Sequence, residues 1–174
     1  SGEALARVYG VKFTNSWKFA PNKKLLHDIK VLLAVECEKY NQRGTVVDPY
    51  QLFSIFSKEA NFNPNAIGGA GERGIAQLKD SVLSDLAKLK QNAVRVTDPF
   101  DLKQGISAAV RHAVWLHENL STKTLFRKYA AWNQGIGAAG NKKHKRWGQG
   151  NKYANDAWAR HQKYRKAGVL NGYI

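Results

Sequence analysis

The sequence predicts a mainly α domain, and three observations carry that prediction. Apolar residues recur at helical rather than alternating spacing through most of the chain. Glycine, proline and asparagine gather between those runs, where a succession of helices needs its turns. No alternating β-branched stretch of useful length appears apart from the short Thr45-Val46-Val47. At 174 residues the chain is most economically one domain, large enough to bury a core without disulfides or metal.

Residues 1–22 scatter the aromatics Tyr9, Phe13, Trp17 and Phe19 without a period, so they are expected to form an arm packed on a domain of residues 23–174. From Lys23 to Asn41 the positions Leu25, Leu26, Ile29, Leu32, Leu33 and Cys37 make a helical stripe, and Gln42-Arg43-Gly44 stops it. Cys37 is the sole cysteine and reads as a buried apolar filler. Asp48-Pro49 then starts a second helix, with Asp48 as N-cap and Pro49 in the first turn. Leu52, Phe53, Ile55 and Phe56 bury most of it and leave Glu59 near its C-terminal end. Asp80 or Ser81 is expected to cap a helix through Leu83, Leu86 and Leu89. Asp98-Pro99 repeats the start signal ahead of the small-residue run from Ile106 to Leu116, suited to a central position. Ser121 is expected to cap the next helix, which ends at Asn133, and a last helix runs from about Gln149 to Ala167 and stops at Gly168.

The stretch Ser57 to Leu78 changes character twice. Glu59 sits at a helix C-terminus, whose partial negative charge disfavours a second negative group and helps hold a carboxyl neutral. A loop follows, with Asn61, Asn63-Pro64-Asn65 and Gly68, Gly69, Gly71 and Gly74, before Ile75-Ala76-Gln77-Leu78 turns apolar again. Glu59, Phe62-Asn63-Pro64-Asn65-Ala66, Arg73-Gly74-Ile75-Ala76-Gln77-Leu78, Asp98-Pro99 with Ile106, Ala131-Trp132-Asn133-Gln134-Gly135 and Tyr153 fall in a recognisable order. Together they resemble the lytic transglycosylase (SLT-type) domain of peptidoglycan-cleaving enzymes, with its catalytic glutamate, F-N-P-N-A turn, G-L-M-Q segment and A-Y-N-A-G motif. The resemblance covers roughly Asp48 to Lys166 and is more specific than any one of its motifs.

That resemblance implies a lysozyme-like fold with a substrate cleft, and cleavage of the MurNAc-β-1,4-GlcNAc bond. In such enzymes the C6 hydroxyl of the muramic acid attacks its own anomeric carbon, giving 1,6-anhydro ends, and one glutamate serves first as acid and then as base. By position the glutamate is Glu59, with Gln77, Trp132, Asn133 and Tyr153 as substrate-binding residues. Tyr153 is also placed to approach the glutamate. Departures are Ala60 for the usual serine, Ile75-Ala76 for Leu-Met, Trp132 for tyrosine, and Glu72 where alanine is usual. Goose-type lysozymes, a related hydrolytic family, place an aspartate in an equivalent loop, so Glu72 is a candidate second carboxylate and Asp80 another. A solvated loop tip and a helix cap, respectively, are the alternatives.

His112, His117, His144 and His161 show no metal spacing, and no cofactor is expected. The charge is large, 28 Lys+Arg against 13 Asp+Glu for a net +15. Between Asn141 and Lys166 nine basic residues face the single acid Asp156. Such a field favours a polyanionic partner, and the bacterial envelope and nucleic acid both qualify. No nucleic-acid motif accompanies the charge, so a non-catalytic basic binding module, of wall or nucleic acid, is the rival from another class. No apolar run is long enough to span a bilayer and no secretory signal is visible. The resemblance implies a domain, expected to be monomeric, that acts on the bacterial cell wall from the periplasm, from outside or from a virion. The start at Ser-Gly and the absence of methionine suggest a processed chain or a piece of a longer one. A bacteriophage endolysin or virion-associated lysin is the expected setting, with bacterial autolysins and conjugation-system transglycosylases, which share the motifs, as the alternatives.

Overall fold

The computed structural model describes residues 7–10 and 19–174, which leaves Phe13 and Trp17 of the N-terminal stretch outside the described residues. Among the described residues the helices are α1 (Lys23–Asn41), α2 (Pro49–Ala60), α3 (Asp80–Ala87), α4 (Leu102–Asn119), α5 (Leu125–Gln134), α6 (Ile136–Ala139) and α7 (Trp147–Ala167). Extended structure among them is confined to isolated bridges, two of which, Ile67 with Arg73 and Arg73 with Leu78, tie the glycine loop together. No described helix is long and apolar enough to cross a membrane.

The stripe of α1 is buried as its spacing requires, with Leu25, Ile29, Leu33 and Cys37 all sealed from solvent. Burial pushes the Cys37 thiol up to about 12, so it is an inert filler. Tyr9 lies against this helix, its hydroxyl donating to Asp28 Oδ2 at 2.8 Å. After α1 the β-branched trio forms no strand. The Asn41 side chain accepts from the amides of Val46 and Val47 and donates to the Val47 carbonyl, satisfying groups that a ladder would otherwise need.

The starts of α4 and α5 differ from the sequence expectation. Asp98-Pro99 makes a turn closed by Asp101 N–H to the Asp98 carbonyl, and Asp101 is the true N-cap, accepting from Gln104 N at 2.9 Å. Gln104 reciprocates by accepting from the amides of Thr97 and Asp98, so two polar residues lock the helix start three positions later. For α5 the cap is Thr124 rather than Ser121, and for α3 Lys79 occupies the cap position without a side-chain bond while Asp80 is already helical. The last helix begins at Trp147, two residues early, and ends at Gly168 in the left-handed region.

Helix α4 is the hub, touching α1, α2, α3 and α5. Its Ala108, Ala109, Val110 and Ala113 are buried, and such small side chains let neighbouring helices approach closely. Helix α7 packs on α5 and α2 through Tyr153, Ala154, Ala157 and His161, spaced on one face. A polar link stitches α2, α5 and α7: Tyr129 Oη and His161 Nδ1, buried, are 2.8 Å apart, and at the surface Asp48 Oδ2 takes Arg165 Nη2 at 2.8 Å. Because Asp48 also caps α2 through Tyr50 N, one carboxylate fixes both ends of this contact.

Candidate active site

Helix α2 stops one residue past Glu59, and the way it stops aims the carboxylate. Asn61 and Phe62 both take the left-handed conformation, with φ 48° and 61°, and the Phe62 amide returns to the Phe56 carbonyl at 3.1 Å. A bulky residue there costs about 1–2 kcal/mol. The Phe62 ring offsets that cost by burial against Phe53, centroids 4.7 Å apart. The chain is thereby thrown sideways into the glycine loop, which folds back across the cleft from Glu59.

That loop is pinned at Gly74. Its φ is 83°, and a Cβ there would strike the Pro99 carbonyl, so only glycine lets the loop lie on the α4 entrance. The carboxamide nitrogen of Gln77, itself at φ 51°, donates to the carbonyls of Ala66 and Gly74. Both its protons are spent on the loop, and only Oε1 remains to meet a ligand. Glu72 folds inward, its Oε2 accepting from Ala70 N at 3.0 Å, and its side chain is only 21% exposed. A side chain at Gly68 would meet both Glu72 Oε2 and Gln77 Oε1, which places those two oxygens side by side on one wall.

Glu59, Glu72, Gln77, Trp132 and Asn133 all line a single cleft of about 720 Å³. Its other walls come from α3 through Val82 and Leu86 and from α4 through His112 and Trp115. Tyr153 stands behind the carboxylate rather than in the lining, buried, and donates its hydroxyl to Glu59 Oε1 at 2.7 Å. Burial holds the Glu59 carboxyl above the ordinary carboxylate range. The Tyr153 hydrogen bond and the Lys58 ammonium pull the other way, and Glu72 adds a smaller upward push. Burial, the Glu59 charge and that hydrogen bond together raise the Tyr153 phenol well above its usual value, so it stays a neutral donor. Lys58 is ion-paired with Asp156 and lies 4.9 Å from the Tyr153 ring centre, fixing the ring's other face.

Asp80 is not brought to this cleft. It is 74% exposed and ion-paired with Arg73. Glu72, by contrast, is no solvated loop tip. Sequence reasoning missed His112, Trp115, Gln134 and Arg146 in the lining; the first two sit at i, i+3 spacing on α4 and look like core positions. Gln134 alone carried a signal, as the residue standing where the A-Y-N-A-G pattern has its second alanine.

A helical domain with a buried carboxyl, held above its ordinary pKa, in a groove walled by Trp115 and Trp132 is built as lysozyme-like glycan-cleaving enzymes are. The family model for the transglycosylase SLT domain matches residues 36–155, well over half of the chain, and the chain belongs to that family. It is a peptidoglycan lytic transglycosylase acting on the bacterial cell wall, with the mainly α, lysozyme-like fold of its family. No curated protein matches it.

Proposed function

We propose that Glu59 is the sole acid and base in cleavage of the MurNAc-β-1,4-GlcNAc bond, and that the products carry 1,6-anhydro-MurNAc ends. The observation that carries this reading is the Glu59 carboxyl itself: lining the cleft, kept above its ordinary pKa by burial, and oriented by Tyr153. A carboxyl whose protonated form is favoured by burial delivers its proton to the bridging oxygen. The carboxylate left behind then takes the proton of the attacking C6 hydroxyl. Attack from within the same sugar gains by proximity what a separate water would need a second carboxylate to supply. Gln77 Oε1, Trp132 and Asn133 hold the glycan, Trp132 by its ring face, and Tyr153 keeps the carboxyl aimed.

Glu59→Gln tests the assignment: the amide still accepts from Tyr153 but has no proton to give. Turnover of peptidoglycan should fall by about 10³-fold or more with folding and sugar binding retained. A variant of near-normal activity would remove Glu59 from the mechanism. The inward turn of Glu72 favours one rival, hydrolysis with Glu72 activating water. Mass spectrometry of released muropeptides separates the two, because anhydro and reducing ends differ by one water. Exposed Lys142, Lys143, Lys145, Lys152, Lys163 and Lys166 hold no ion-pair partner among the described residues, which supports a role in drawing the enzyme to the anionic envelope. A monomeric, phage-borne lysin acting from outside or from the periplasm fits this charge.

A further inference from the structure

Three consecutive residues at the end of α2 are each held by α7. The Tyr153 hydroxyl donates to Glu59 Oε1 at 2.7 Å, and Asp156 Oδ2 takes the Lys58 ammonium. Arg160 Nη1 donates to Ser57 Oγ at 2.8 Å, and the Tyr164 hydroxyl lies 2.6 Å from the same oxygen. Tyr153, Asp156, Arg160 and Tyr164 follow one another at helical neighbour spacing, so they form one stripe along the face of α7 that meets α2. The stripe is also tied along its own length, Arg160 Nε reaching Asp156 Oδ1 at 3.4 Å. Of the four, only Tyr153 falls among the residues that the family model matches, which end at 155. The other three lie beyond it.

Lys58 is the member of this clamp that bears on the chemistry. It stands next to the acid in sequence, and its positive charge favours the ionised form of Glu59, which has no proton to give. Left unpaired, that ammonium would be drawn to the Glu59 carboxylate. In the structure it pairs with Asp156 and lies 4.9 Å from the centre of the Tyr153 ring. We propose that Asp156 is a positioning residue for the reaction: it holds the Lys58 charge on the Tyr153 ring, out of a pair with Glu59, and leaves the carboxyl to the Tyr153 hydroxyl. The other charged or titratable groups lining the cleft with Glu59 are Glu72 on the glycine loop, Lys79 and Asp85 at α3, His112 on α4, and Arg146 ahead of α7. None of these is paired with Asp156 or Lys58 among the described residues. The Asp156 side chain is 45% exposed, so a substitution there removes charge without opening the core. The inference rests on Glu59 being the acid and names what keeps its neighbour's charge away.

The test follows Glu59 in two ways in the full chain. Its carboxyl titration is read by carbon NMR, assigned through the signal that Glu59→Gln removes, and the alkaline limb of the pH–rate profile is read on soluble peptidoglycan strands. Asp156→Asn should move both down by about half a pH unit, a loss of about threefold in kcat above the limb, with KM unchanged. Asp156→Glu should restore them. Lys58→Met should move both upward, and adding Asp156→Asn to it should then change neither. An unmoved titration and limb in Asp156→Asn, with or without a lower melting temperature, would reduce the contact to a surface ion pair and overturn the proposal. The same downward shift in the Lys58→Met background would overturn it too, because Asp156 would then act on Glu59 without Lys58. Should the NMR titration move as stated while Glu59→Gln keeps its activity, the catalytic reading of Glu59 fails and the placement of Lys58 by Asp156 stands.

Discussion

Three neighbours act on Glu59 with opposite signs, and that opposition makes the site testable atom by atom. Tyr153 and Lys58 lower its pKa, whereas Glu72 raises it. Tyr153→Phe should therefore move the alkaline limb of the pH–rate profile upward and lower kcat, because the carboxyl loses both a stabilising donor and its orientation. Glu72→Gln should move the same limb downward while leaving the product anhydro. Coincident limbs in both variants would show that neither group touches the titration. Stability carries the same sign. A carboxyl whose folded pKa is raised contributes full stability below its unfolded value of about 4.3, and that contribution is lost as pH climbs through the folded value. Glu59→Gln should accordingly gain stability relative to the wild type on the alkaline side alone, read as a difference in melting temperature across pH. Residue identity made Glu59 legible in the sequence because a helix end and a glycine loop flank it. The role of Gln77 was less so. Its two donated bonds run to carbonyls 11 and 3 residues back, and only the folded loop reveals that its nitrogen is already spent.

Elements announced by a single local signal were legible, and elements with competing signals were not. Asp48 is followed at once by Pro49, which fits only the first turn, and α2 begins there; Gly168 likewise ends α7. At α4 both Asp98 and Asp101 are chemically able to cap. The choice falls to Asp101 because Gln104 can reach back from within the first turn. At α5 Ser121 and Thr124 compete in the same way. The glycine loop was legible as a loop but not as one wall of the cleft, since its seat on Pro99 links residues far apart in sequence. Gly74→Ala tests that seat. The left-handed φ and the Pro99 carbonyl both oppose a Cβ, so the substitution should cost about 2 kcal/mol or more and cut activity further by displacing Gln77 and Glu72. Retained activity at wild-type melting temperature would show that the loop does not depend on this contact. Asp48→Ala should also destabilise, by about 1–2 kcal/mol for the lost cap alone. Asp48→Asn, which keeps an acceptor for Tyr50 N but not the charge, should cost less; by urea denaturation the gap between the two variants measures the cap, and what Asp48→Asn still costs relative to the wild type measures the Arg165 and His161 link.

At the scale of the whole molecule the net charge of +15 separates capture from catalysis. Asp156, the single acid among the nine basic residues of 141–166, is engaged by Lys58 and Arg160, so it neutralises none of the exposed lysines of that segment. Their field reaches a polyanionic wall through solvent, over a Debye length of about 10 Å at 0.1 M salt and about 3 Å at 1 M. The cleft works differently. Its candidate contacts to sugar are an aromatic face, carboxamides and a buried carboxyl, all short-range and little affected by ions in bulk water. Raising salt from about 0.05 M to about 0.5 M should thus release the protein from isolated anionic walls while leaving its affinity for neutral chitotetraose nearly constant. Combined Lys142→Glu, Lys143→Glu and Lys145→Glu substitutions, all outside the cleft lining, should flatten the first dependence and leave the second untouched. Should wall binding stay strong at high salt, or should the triple variant bind as tightly as the parent at low salt, attraction by this segment would be the wrong account, and retention on the wall would have to come from the cleft itself.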